Sequence, residues 1–169
     1  MISIKKGGAK SLALTGIIAA LYFIITICFF PLSFGPVQVR FAEALTLLPL
    51  FFNEAIVGLT VGCFLSNLLG GNGALDIIFG TLATLISAIL TKVFATKIKN
   101  DFLKILVGGL FPIILNAVIV PFTFLAVVEL KELYFISAVQ VFLGQAISIY
   151  IIGSFLYFAL KKLQIKKGL

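Results

Sequence analysis

The length of its charge-free runs constrains this chain more than any other feature. No Asp, Glu, Lys or Arg occurs from Ser11 to Gln38, from Ile105 to Val128 or from Leu133 to Leu160. Each run exceeds the roughly 20 apolar residues that carry an α-helix across a hydrocarbon core. Between Phe41 and Thr91 the only charges are Glu43, Glu54 and Asp76. That stretch has room for three more spans, divided by turn formers at Asn53-Glu54 and at Gly70-Gly71-Asn72-Gly73. The pattern predicts an all-α polytopic integral membrane protein, a six-transmembrane-helix bundle in a single domain over 1–169. Its helices are expected near 10–31, 40–52, 55–69, 74–96, 103–127 and 134–160, the second and third short enough to lie deep or tilted.

Composition closes the soluble alternative. Hydrophobic residues make up 62% of the chain and charged ones 11%, with a mean hydropathy of +1.25. A soluble domain of 169 residues leaves too much of its surface wet to hide that much apolar area. The first apolar run is longer than a signal-peptide core and is followed by further spans, so it is expected to be retained.

The lysines give an orientation. Lys5, Lys6 and Lys10 precede the first span, Lys92, Lys97, Lys99 and Lys104 flank the fourth-to-fifth connection, and Lys161, Lys162, Lys166 and Lys167 end the chain. The opposite ends hold only Arg40 and Lys131, each beside carboxylates. The positive-inside rule then predicts a cell-membrane protein with both termini and the Lys97–Asp101 loop in the cytoplasm, which requires an even number of spans. The net charge of +7 is mostly this topology signal. It does not mark a nucleic-acid partner, which would need a basic folded face.

Catalysis finds no support. The chain has no histidine, no serine beside a base and no paired acidic metal motif. Its Gly70–Gly73 turn lacks the Lys-Ser/Thr of a P-loop. No metal or cofactor is expected. Cys28 and Cys63 have no metal-like spacing and read as small apolar fillers inside spans.

Small and polar residues fall in stripes. Ala9, Ala13, Gly16 and Ala20 share a face of the first helix, and Gly58, Gly62 and Ser66 one of the third. Such faces let helices approach closely in lipid, either within the monomer or against another subunit. Asp76, Gly80, Ala83 and Ser87 line up on the fourth helix, and Gly109, Pro112, Asn116 and Thr123 on the fifth. Ser137, Gln140, Gly144 and Ser148 do so on the sixth. Groups of this kind avoid lipid, so these stripes are expected to converge on one interior. Pro112 and Pro121 are expected to interrupt the fifth helix and free carbonyls there.

Arg40, Glu43, Asn67, Asn72, Asp76, Glu129 and Glu132 all lie toward the outer side, with Gln140 about two turns inward. Intramembrane charge is costly, so each such group needs a partner or a task. Arg40 and Glu43 either pair with each other at a helix start or face a pocket. Asp76 either complements a helix dipole or binds. Glu129 and Glu132 read as solvated loop charges. With Tyr22, Phe34, Phe41, Tyr134 and Phe135 nearby, these groups suit a flat heterocycle rich in hydrogen-bonding edges.

Two segments carry a resemblance. Gly35-Pro-Val-Gln38-Val-Arg40-Phe-Ala-Glu43-Ala-Leu-Thr-Leu-Leu-Pro49 is the first. Gly62-Cys-Phe-Leu-Ser-Asn67-Leu-Leu-Gly-Gly-Asn72-Gly-Ala-Leu-Asp76-Ile-Ile-Phe-Gly80-Thr-Leu-Ala-Thr84 is the second. The chain resembles, over its whole length, the QueT family of substrate-binding S-components of energy-coupling factor (ECF) transporters. The resemblance implies a six-helix S-component fold and uptake of a queuosine precursor, the aminomethyl-deazaguanine base. Its implied partners are a transmembrane coupling subunit and two cytoplasmic ATPase subunits, which supply the energy. It also implies docking through the small-residue face of the first helix, by Ala9/Ala13 or by Gly16/Ala20. Candidate substrate-binding residues are Gln38, Arg40, Glu43, Asn67, Asn72 and Asp76, with Asn116 and Gln140 second. Glu43 or Asp76 is expected to bind the donor edge of the base while the other neutralises its arm. The alternatives are a stand-alone carrier or pore, or an S-component for another vitamin-like heterocycle.

Overall fold

The computed structural model describes residues 8–35, 38–128 and 133–167, and it is all helical apart from turns. Six main helices follow one another. They are α1 (Ala9–Cys28), α2 (Phe41–Leu50), α3 (Glu54–Gly70), α4 (Asp76–Ala95), α5 (Asp101–Val128) and α6. The last runs continuously through Leu133–Ala146, Ile147–Gly153 and Ser154–Lys167. A single extra turn, Phe30–Ser33, follows α1. Helices α1, α4, α5 and α6 are long and apolar enough to cross a membrane, whereas α2 and α3 are shorter apolar helices. The chain is therefore a multi-pass membrane protein. Its outer surface agrees: Phe135 and Phe155 are 77% and 76% exposed, a display of large apolar side chains that water does not tolerate and lipid does.

The expected boundaries hold to within a few residues except at the carboxyl end of α6, which continues through Lys167. Winding departs more. Helix α2 is a 3₁₀-helix of ten residues, with Ala42 through Pro49 all buried. At about 2.0 Å per residue it reaches roughly 20 Å, where an α-helix of that length would span about 15 Å. A slim, stretched helix that is apolar on nearly every side suits the centre of a bundle. One flank of α2 packs Ala42, Leu45 and Leu48 against Ile18 and Tyr22 of α1 and Leu59 and Cys63 of α3. The other sets Leu47 against Ile105 and Ile113 of α5 and Ile149 and Tyr157 of α6.

Helices α1 and α3 meet through the glycines of α3. A Cβ on Gly58 would lie 2.9 Å from the Thr15 carbonyl oxygen, and one on Gly62 would lie 2.8 Å from that of Ala19. The Gly58/Gly62 stripe is thus internal packing. The stripe on α1 has the other fate: Ala9, Ala13, Gly16 and Ala20 all face outward, and nothing lies within 4 Å of a Cβ on Gly16.

The prolines do not interrupt α5, which continues through Pro112 and Pro121 to Val128. Pro112 removes the hydrogen bond that Gly108 would have accepted, and Thr91 Oγ1 of α4 donates to that carbonyl at 2.7 Å instead. Asn100 Oδ1 accepts from the Leu103 amide at 3.1 Å and caps the start of α5.

One end of the bundle gathers the starts of α1, α3 and α5 and the end of α6. Ser11 donates to Glu54 at 2.9 Å, Tyr157 donates to Asp101 at 2.8 Å, and Lys161 pairs with Asp101. Lysines cluster at this end. The candidate binding groups cluster at the other.

Candidate functional site

Two irregular connections build the far end. After α1 the chain turns at Pro31, and Gly35 passes so close that a Cβ there would lie 2.6 Å from the Pro31 carbonyl oxygen. Gln38 then takes φ = +46°, a left-handed conformation rare for a residue with a side chain. Strain of this kind persists where surrounding structure fixes it, commonly at binding sites. Across from it α3 stops at Gly71 with φ = +77°, the left-handed C-terminal stop that glycine adopts freely. Asn72 follows, and α4 opens with π-wound turns at Asp76–Gly80.

Between these connections lies a cavity of about 170 Å³, lined by Phe34, Gly35, Gln38, Asn72, Val120, Pro121, Ser137 and Val141. About 10–15 Å³ admits a single water, so this space is large enough to matter for a small molecule. Its apolar walls come from α5 and α6. Its polar groups are two amides and a hydroxyl.

Charges stand directly behind the wall. The Arg40 guanidinium lies 5.0 Å from the centre of the Phe34 ring, which presses on Gly70 so closely that a Cβ there would come within 2.2 Å of it. Asn72 Nδ2 donates to Asp76 Oδ2 at 3.4 Å. Arg40, Glu43 and Asp76 are 4%, 1% and 2% exposed, and both carboxylates are near enough to act on the guanidinium charge. Arg40 and Glu43 do not form the ion pair that their spacing allowed. The Glu43 carboxylate takes its hydrogen bond from Tyr22 Oη of α1, at 2.5 Å.

A second layer joins α3 to α4. Asn67 Nδ2 donates to the Asp76 carbonyl oxygen at 3.2 Å, and Thr84 Oγ1 donates to Cys63 Sγ at 3.2 Å. Cys63 is therefore a fully buried member of a polar network and more than a filler. Cys28 is exposed on the outside of α1 and does not fill the interior either.

Gln38 and Asn72 line the cavity, Arg40 and Asp76 lie one contact behind it, and Glu43 and Asn67 lie deeper. Asn116 is buried and Gln140 half-buried, and neither lines the cavity. Of the aromatics, Phe34 and Tyr22 join the site. Phe41 stacks edge-on to Phe29 at 4.7 Å, Tyr134 donates to the Val118 carbonyl of α5, and Phe135 faces outward. Glu129 and Glu132 lie outside the described residues. The stripes on α4 and α5 are buried throughout, as are Gly144 and Ser148 on α6, while Ser137 is half-buried at the cavity wall. Pro121, singled out for the carbonyl it frees, lines the cavity too, and so do Val120 and Val141, which were not singled out, because apolar residues on a span carry no signal that separates a pocket wall from a lipid-facing side.

The family model described as QueT transporter matches residues 12–162. The chain belongs to the QueT transporter family. This is a family of transporters and not of enzymes. The chain is also similar to a protein of Lactococcus lactis subsp. cremoris (strain MG1363) named Queuosine precursor transporter QueT. They are 33% identical over 100 residues, which cover 58% of this chain and 59% of that relative. The matched part thus spans less than two thirds of the relative's length. No solved structure matches the chain. The two segments that resemble QueT are the ones that supply Gln38 and Arg40 on one side of the cavity and Asn72 and Asp76 on the other.

Proposed function

We propose that this QueT family member is the substrate-capture subunit of an ECF-type importer. It binds a queuosine precursor, the cationic aminomethyl-deazaguanine base, from outside and delivers it inward by docking on a coupling subunit driven by two ATPases. The cavity end faces outward and the lysine-rich end, with both termini, faces the cytoplasm; six membrane segments are counted by including the short α2 and α3. The observation that carries this reading is a charge imbalance behind the cavity. Two buried carboxylates, Glu43 and Asp76, share one buried guanidinium, Arg40, so the formal sum is one negative charge. Buried charge calls for compensation, and a planar base with a cationic arm supplies it. The name of the Lactococcus lactis relative supports the substrate, and the outward small-residue face of α1 supports docking.

The test is calorimetric titration of the purified chain in detergent with the aminomethyl base, its neutral cyano counterpart and guanine. The cationic base is expected to bind at least about tenfold tighter than the neutral two, equivalent to about 1.4 kcal/mol. Asp76→Asn should erase that preference. Equal affinity for the charged and neutral bases would remove the charge argument. Uptake by proteoliposomes holding this chain alone would replace a capture subunit with a stand-alone carrier.

Gly70 offers an independent probe of the same wall. Gly70→Ala must shift the Phe34 ring, since an added Cβ would lie 2.2 Å from its far edge. A ring can turn where backbone cannot, so the fold is expected to hold while the contact between Phe34 and Arg40 changes. Affinity for the aminomethyl base is expected to fall about tenfold or more, read by the same titration. An unchanged affinity would show that Phe34 does not shape the site.

A further inference from the structure

Below the cavity the fold leaves several polar atoms without partners. Arg40 Nε and Nη2, Glu43 Oε2 and Asn67 Oδ1 are closed to solvent and make no hydrogen bond among the described residues. Each such omission costs about 1–3 kcal/mol, and more where the group is charged. Buried polar atoms are otherwise almost always paired, so donors and acceptors left open together call for a partner. Opposite charges on adjacent turns would normally close on each other. Something holds Glu43 away from Arg40.

Tyr22 is that element. Its hydroxyl donates to Glu43 Oε1 at 2.5 Å, and the residue is completely buried. Its place is fixed from both sides. The α3 backbone at Gly62 approaches so near that a Cβ there would sit 2.7 Å from the Tyr22 Cβ, and Thr26 Oγ1 donates to the Tyr22 carbonyl oxygen at 2.8 Å. One carboxylate oxygen is therefore occupied, and the other, like Nε and Nη2 of Arg40, has no partner among the described residues.

We infer that Tyr22 is a positioning residue that makes Glu43 a single-oxygen acceptor beside two Arg40 donors, and that this arrangement selects a heterocycle edge carrying a carbonyl next to N–H donors. The carbonyl of such an edge takes the Arg40 N–H groups. The ring N–H and exocyclic amino group donate to Glu43 Oε2 and Asn67 Oδ1. This inference rests on the proposed substrate and gives its two ends separate readers: the Glu43 side takes the hydrogen-bonding edge, and Asp76, joined to the cavity through Asn72, takes the cationic arm.

The experiment compares the aminomethyl base with its counterpart lacking the exocyclic amino group, by titration of the purified chain and of Tyr22→Phe. The substitution keeps the ring in the α1–α3 contact and frees Glu43 to turn toward Arg40. Wild-type protein is expected to prefer the amino-bearing base by about tenfold or more, and Tyr22→Phe should lose most of that preference. A structural role alone would weaken both ligands equally, and that result would overturn the inference. Glu43→Gln provides a second route, since it should lose the same preference, and the double variant should lose no more than either single one. Independent, multiplying losses would overturn the inference while leaving the charge preference tested at Asp76 intact. Absence of binding by the wild-type chain to either base would overturn the substrate reading itself, and this inference with it.

Discussion

Arg40→Leu is expected to abolish ligand binding and to lower thermal stability substantially. Among the described residues, Arg40 is the one buried cation that accompanies the buried Glu43 and Asp76. Removing one partner from a buried charged set costs about 3–5 kcal/mol, because the remaining charges lose compensation without regaining water. The loss should be partly reversible by design. Combining Arg40→Leu with Glu43→Gln and Asp76→Asn removes the stranded charges, so stability is expected to recover while binding is not. Arg40→Lys should fall between these. It keeps the charge, yet it gives up the planar group that lies over Phe34 at 5.0 Å and its forked donors. Thermal unfolding in detergent and titration with the aminomethyl base read the two effects separately. Wild-type stability in Arg40→Leu would mean that the carboxylates are satisfied elsewhere.

The origin of that expectation shows what a single sequence reveals. Charge-free runs located α1, α5 and α6 because a bilayer demands length and apolarity, both of which are written locally. The polar stripes on α4 and α5 are buried, since unpaired groups cannot face lipid, while Ser137 and Gln140 of the α6 stripe are half-buried. Arg40 and Glu43, three residues apart, looked ready to pair because local spacing is all that a sequence displays. The partner that prevails, Tyr22, lies 21 residues away on another helix, and only the packing of α1 on Gly62 brings it there. The 3₁₀ winding of α2 was equally hidden: ten mostly apolar residues fit either helix, and the choice belongs to the neighbours that bury them. Proline misled for the same reason. Pro112 does free the Gly108 carbonyl, but the Thr91 hydroxyl on α4 donates to it, and α5 runs on unbroken. Where the answer depends on a contact between distant segments, residue type alone underdetermines it.

The two glycine stripes turn this lesson into the second large effect. Gly62→Leu and Gly16→Leu add the same side chain to neighbouring helices, yet opposite outcomes are expected. At Gly62 the added Cβ meets the Tyr22 Cβ at 2.7 Å and the Ala19 carbonyl oxygen at 2.8 Å. Backbone does not yield as a flexible side chain does, so α1 and α3 must separate, and Tyr22 moves off Glu43 as they do. The cost exceeds the roughly 1–3 kcal/mol of ordinary overpacking, and both folding and binding are expected to fail. At Gly16 nothing lies within 4 Å, and replacing a helix-interior glycine removes a penalty of about 0.5–1 kcal/mol. The fold and the titrated affinity should therefore stay at wild-type values. If the outward face of α1 is where the coupling subunit docks, bulk there prevents close approach of the helices, and uptake by cells carrying the full transporter should drop to background. Ala13→Leu, on the same face, is expected to behave alike. Wild-type uptake in both Gly16→Leu and Ala13→Leu would place docking on another surface, while loss of binding in Gly16→Leu would mean that this face supports the fold after all.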